Sequence, residues 1–389
     1  MATRTYKGFF AAFLLTLFVS LTAIAAFNAI VDPEGRFDVL DATGFNAVKT
    51  SQHYRNRSTK ALSLLRCDYR YVMLGSSRAE TGLNPDYEGF AGARAMNAGL
   101  ANVAFEELLQ TIRFAVAHQE SPVLIIGLDH GIFENTELFP TGYEHSRLAP
   151  SISLESSIRY LLYKESTQAS LQTVRDNRAG AGERCSHNGM HDVRDVPVNQ
   201  KEAFGQILQG SEDRYRQGVF AEGRVEEFAG ILQFLADNQI ETHLYITPVH
   251  AHQHALVAEY GWLERYTNWK RDLVNVIEVL NRDLPEERHF RLWDFGLINR
   301  ITTEPVPADP DTQMRWWRDS HHFRPAFGDM ILDRVLSDPE DVLAWQDDLG
   351  VVLTVANVDN FNRLLEAEIA AFRAALPQWD VIGRERAQK

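Results

Sequence analysis

The segment Pro122-Val123-Leu124-Ile125-Ile126-Gly127 constrains this chain more than any other. It is continuous, β-branched and apolar, with no alternation that would give one face to water. Such a strand belongs in a parallel sheet covered on both sides. Tyr71–Leu74, Ala95–Asn97, 243–247 and 290–294 also read as strands. Helical patterns occupy about 59–65, 105–118, 154–173, 225–237, 263–280 and 326–336. Strands and helices in this rhythm predict βαβ units and a three-layer α/β/α fold with a mostly parallel sheet. Functional side chains in such sheets gather at the carboxyl ends of the strands.

A second feature lies outside that domain. Residues 8–31 are almost wholly apolar, interrupted by Thr16, Ser20, Thr22 and Asn28. As a helix this run reaches about 36 Å, enough for a hydrocarbon core of about 30 Å. Arg4 and Lys7 precede it, so the positive-inside bias keeps the short N-terminus in the cytoplasm. The expected protein is single-pass in the cytoplasmic (inner) membrane, with its bulk in the periplasm or outside the cell. Cleavage after Ala23-Ile24-Ala25 is the alternative, but the run is longer than a typical signal core. The expected organisation is an anchor over 1–31, an α/β domain over 32–338 and a helical appendage over 339–389.

Composition narrows the partners. Apolar and aromatic residues make up 45% and charged residues 24%, which excludes a mainly disordered or polytopic chain. The net charge of −14 argues against nucleic acid, whose phosphates require clustered Lys and Arg. Cys67 and Cys185 are the two cysteines, too few for a disulfide framework or a Cys-based zinc site. Export would permit a bond between them, although an isolated pair is more often two unrelated thiols.

Two blocks carry chemistry. Leu74-Gly75-Ser76-Ser77 puts a hydroxyl just after a buried strand, on a tight turn into a helix, beside backbone N–H groups. Alone, such a turn is more often structural. Far downstream stands Asp319-Ser320-His321-His322-Phe323-Arg324-Pro325. A Ser nucleophile needs a base, and the base needs an acid to set its tautomer; an Asp three residues before a His can supply both.

With these blocks the chain resembles the SGNH (GDSL-like) hydrolase superfamily, an α/β/α fold of flavodoxin-like form. The resemblance implies Ser77 as nucleophile, His322 as base and Asp319 as the orienting acid. Asn97-Ala98-Gly99 is similar to the family's glycine block, which implies Gly99 as an oxyanion-hole donor. At Gly127-Leu128-Asp129-His130 the family's oxyanion-hole Asn is replaced by Asp129, so Asn102 or backbone groups would have to substitute. Joined to an anchor, the domain resembles the membrane-bound SGNH-like proteins of alginate O-acetylation and teichoic-acid D-alanyl transfer. That implies an acyltransferase or esterase acting on an envelope polysaccharide, beside a membrane-bound O-acyltransferase. A domain that has lost catalysis and binds a glycan or partner protein is the alternative.

Other residues are weaker candidates. Asp129 and His250 are placed for substrate contact, and His250, His252 and His254 are read as loop histidines rather than metal ligands. His187 and His191 are read the same way. Trp317, with Trp316, suits either a sugar-stacking platform or the core. Arg78 suits an anionic substrate group or a salt bridge on its own helix. Ala179-Gly180-Ala181-Gly182 follows no strand and lacks a Lys-Ser/Thr, so it is not a phosphate loop. No metal or other cofactor is expected.

Overall fold

The computed structural model describes residues 2–49, 57–141, 143–149, 153–182, 185, 188–190, 198–337 and 349–379. Its strands are β1 (Tyr71–Leu74), β2 (Ala95–Asn97), β3 (Val123–Leu128), β4 (Glu241–Ile246), β5 (Leu292–Asp294) and β6 (Val351–Leu353). They form one sheet in the order β2-β1-β3-β4-β5-β6. The first five run parallel, with Leu74 level with Ile126 and Gly127 level with Tyr245. All six residues of β3 are buried, as its unbroken apolar sequence requires.

The helices are α1 (Ala2–Val31), α2 (Arg57–Arg66), α3 (Ser77–Gly82), α4 (Phe105–His118), α5 (His130–Phe133), α6 (Leu154–Leu162) and α7 (Lys164–Arg178). There follow α8 (Gln200–Gln217), α9 (Arg224–Asp237), α10 (Ala251–Glu259), α11 (Leu263–Asn281), α12 (Pro325–Val335) and α13 (Val358–Trp379). The chain divides into two compact units: Met1–Cys67 with Thr141–Asn188, and Asp68–Pro140 with Gly189–Lys389. This differs from the expected 32–338 domain, because residues 32–67 and 141–188 group with the N-terminal helix.

In the first unit, α1 contains one stretch long and apolar enough to cross a membrane, Tyr6–Val31. The helix stops at Asp32, whose carboxylate accepts the N–H groups of Arg36, Phe37 and Asp38 at 2.7–2.8 Å. Helices α6 and α7 pack on α1. Asn28, fully buried, ties the three together by donating to Leu161 O and Thr167 Oγ1, each at 2.8 Å. Cys67 and Cys185 form a disulfide. The pair is therefore not two unrelated thiols: the fold brings together sulfurs 118 residues apart in sequence.

In the second unit, the last segment is not purely helical. β6 pairs antiparallel with β5, Val352 against Trp293, and closes that edge of the sheet. Helix α13 then packs on α10 and α11, with Asn362 Nδ2 donating to Thr267 O at 3.1 Å. Two further helices, α8 and α10, were not legible as such. Asn199 caps α8 by accepting the Glu202 N–H, and Gly218 ends it in a left-handed turn. The core of this unit gathers Met73, Ile125, Tyr245, Phe295, Trp317, Phe323 and Phe327.

Candidate active site

The parallel strands deliver their carboxyl ends to one edge. β1 is followed by Gly75, whose φ of +143° suits glycine. A Cβ there would meet Ala79 Cβ at 3.0 Å and the Gly127 carbonyl at 3.1 Å. Ser76 then caps α3, its Oγ accepting the Arg78 N–H at 3.1 Å. Ser77 is the first residue of α3. From the other end of the chain, the turn before α12 brings His322 Nε2 to 2.8 Å from Ser77 Oγ. His322 Nδ1 lies 2.7 Å from Asp319 Oδ2.

Asp319 is held twice over. Its Oδ1 accepts the backbone N–H of His321 at 2.7 Å and of His322 at 2.9 Å, leaving Oδ2 for the imidazole. Burial by itself would raise this carboxyl. The His322 charge and the hydrogen bonds from His322 and the two backbone N–H groups outweigh burial and hold it below the usual carboxylate range. With Nδ1–H donating to Asp319, Nε2 is free to accept the Ser77 proton.

Gly99 does something other than expected. Its N–H donates to Asn97 Oδ1 at 3.0 Å, so it is not turned to an oxyanion. Asn97 is fully buried and also donates to Ala79 O and Leu83 O, binding the end of β2 to α3. A Cβ on Gly99 would lie 2.6 Å from the Glu80 backbone nitrogen, so glycine here permits close packing against the nucleophile's helix. Asn102, with φ +52°, lines the cleft that holds Ser77.

Asp129 is committed as well. It is 3% exposed, and it accepts from Arg78 Nη1 at 2.6 Å and from Thr247 Oγ1. Arg78 Nη1 also donates to Thr247 Oγ1 at 3.0 Å. Arg78 thus makes a salt bridge, with Asp129 after β3 rather than with a residue of its own helix. The three groups tie α3 to the residues that follow β3 and β4.

The remaining candidates move into the core. His250, His252 and His254 are buried on or beside α10, not solvated in a loop. His250 Nε2 lies 2.8 Å from Glu304 O, and its Nδ1 caps α10 by accepting from His252 N. Trp317 is fully buried and donates Nε1–H to Ile301 O at 2.7 Å, so it is no stacking platform. Trp316 is half-buried under the Arg315 guanidinium. Among the described residues no group of three His, Cys, Asp or Glu is arranged to hold a metal ion. His187 and His191 lie outside the described residues.

The cleft beside Ser77 has a volume of about 540 Å³. Its lining includes Arg214, Glu134, Phe220 and His321, none of which was singled out from sequence. Arg214 Nη1 sits 2.9 Å from where a Gly131 Cβ would be, and among the described residues its guanidinium has no ion-pair partner. Thr247 was detectable in principle as the residue following a strand. Arg214 carries no such signal, since it lies inside α8 and not at a strand end.

Burial also sets the charge state of two histidines. Burial first, then the Lys270 and Arg78 charges, push His254 down to about 3. Burial, followed by the Arg78, His322 and Arg214 charges, drives His321 well below its ordinary value. An unfolded His takes up a proton near 6.5, where folded His254 does not until about 3. The unfolded state binds more protons in that window, so stability falls as pH is lowered from about 6.5. The urea midpoint is expected to drop between pH 7 and pH 4, and to drop less in His254→Leu. An equal drop in both would assign the acid sensitivity elsewhere.

Comparison with known families and with curated proteins finds no match to this chain.

Proposed function

We propose that the chain is a membrane-anchored, Ser-dependent acyl-transfer enzyme of SGNH type, with the three-layer α/β/α architecture of that superfamily. One observation carries the reading: the Ser77–His322–Asp319 relay, in which His322 lies 2.8 Å from Ser77, 245 positions away in sequence, and 2.7 Å from Asp319. The placement of Ser77 at a strand's carboxyl end and the adjoining cleft support it. The apolar helix and the Cys67–Cys185 disulfide support exposure to an oxidising compartment, the periplasm or cell exterior. The resemblance supplies the substrate class, hydroxyl esters of an envelope polysaccharide, and a membrane-bound O-acyltransferase as the source of acyl groups.

The chemistry follows from the geometry. Ser77 Oγ attacks the acyl carbonyl while His322 Nε2 takes its proton, and the resulting imidazolium is stabilised by Asp319. His322 returns the proton to the departing group, leaving an acyl-Ser77 ester. An acceptor hydroxyl, or water in hydrolysis, then gives its proton to His322 and attacks that ester; the bond from the acyl carbon to Ser77 Oγ breaks and His322 returns the proton to Oγ. With Gly99 and Asp129 engaged elsewhere, the oxyanion falls to the Ser77 N–H and the Asn102 side chain.

That same engagement favours a second reading, a domain that keeps its cleft for glycan or protein binding without turnover. A fluorophosphonate probe separates the two. Wild type is expected to be labelled covalently and Ser77→Ala not at all. A wild-type protein that stays unlabelled decides for binding.

A further inference from the structure

We infer that α6 lies in the membrane surface, its outer face sunk among lipids where the anchor helix leaves the bilayer. Residues 6–24 of α1 are all exposed, and as a helix that run is about 28 Å long, close to the ~30 Å hydrocarbon thickness. Cover begins at Ala25, where α6 and α7 pack on the last turns of α1. The Asn28 bonds to Leu161 O and Thr167 Oγ1 fix this collar at the boundary.

At that height α6 is inside out for a surface helix in water. Its covered face carries Ser156 and Tyr160, four residues apart. Ser156 Oγ accepts from Arg36, and the Tyr160 ring lies under the same guanidinium. The opposite face presents Leu154, Ile158 and Leu162, a one-stripe spacing of four, at 76%, 50% and 41% exposure. Tyr163, 52% exposed, ends the stripe with the kind of amphipathic ring that settles at headgroup level. Glu155 and Arg159 flank the stripe, paired with each other at 3.2 Å. A helix that packs on the end of the anchor and turns an apolar stripe outward commits that stripe to lipid rather than water.

The test is site-directed spin labelling of the full chain in vesicles of phosphatidylethanolamine and phosphatidylglycerol. Single cysteines at Leu154, Ile158 and Leu162 are labelled, with the native cysteines held in their disulfide. Labels at Glu155 and Arg159, which flank the stripe, serve as the comparison set, and circular dichroism confirms folding of each variant. Leu154, Ile158 and Leu162 are expected to collide more with dissolved oxygen than with a water-soluble nickel chelate, at a depth of about 5–10 Å. Glu155 and Arg159 are expected to show the reverse. Access of nickel to the three stripe positions would overturn the inference. So would shielding from both reagents, which would mean a partner protein or a second copy covers the stripe.

Discussion

Asp319→Asn is expected to slow the reaction of Ser77 by about 10⁴-fold while the fold survives. Asn has the same shape, and its Oδ1 can still accept the N–H groups of His321 and His322. Its NH₂ would then face His322 Nδ1, which must become an acceptor and send the ring proton to Nε2. His322 would offer Ser77 a proton rather than take one. The position is 7% exposed, so bulk water cannot restore the lost counter-charge. Fluorophosphonate labelling and hydrolysis of an activated aryl acetate both measure the effect, with circular dichroism as the control for folding. A loss smaller than tenfold would mean the carboxylate does not orient the base.

Arg78→Met is expected to cost about 3 kcal/mol of stability, because it strands a buried carboxylate. Asp129 would keep its bond from Thr247 but lose the guanidinium at 2.6 Å. The Arg78 side chain is 15% exposed and that of Asp129 is 4%, which places the loss at the low end for a broken buried pair. Arg78→Met with Asp129→Leu should recover most of the loss, since apolar replacement of both partners is close to neutral. Urea midpoints of the three proteins decide it. A single variant within about 1 kcal/mol of wild type would show that the pair is not stabilising strand ends.

The strands were legible where side-chain chemistry leaves one option. β3 has no polar residue to face water, and its six residues are all buried. α4 matched its apolar spacing to the residue. By contrast, α10 reads Ala-His-Gln-His-Ala, with no apolar stripe, and only packing against Phe204, Trp317 and Phe372 makes its end of the chain a buried helix. β6 is three residues long and exists as a strand because β5 offers it an open edge.

For the site, two short blocks in the sequence and the resemblance they carry brought Ser77, His322 and Asp319 together in expectation, with Ser77 placed at a strand's carboxyl end. Local sequence also determined the turn at Gly75 and the membrane-length helix. Hydrogen-bond allegiance was a different matter. Whether Gly99 N–H serves an oxyanion or Asn97, and whether Arg78 meets a substrate or Asp129, depends on which groups approach within 3 Å. Those approaches are set by the crossing of elements far apart in sequence. The same holds for the disulfide, whose cysteines stand 118 residues apart, and for Trp317, whose sequence suits a core or a platform equally. Periodicity and composition describe what each segment prefers to bury; only the assembled fold decides which partner each buried polar group finds.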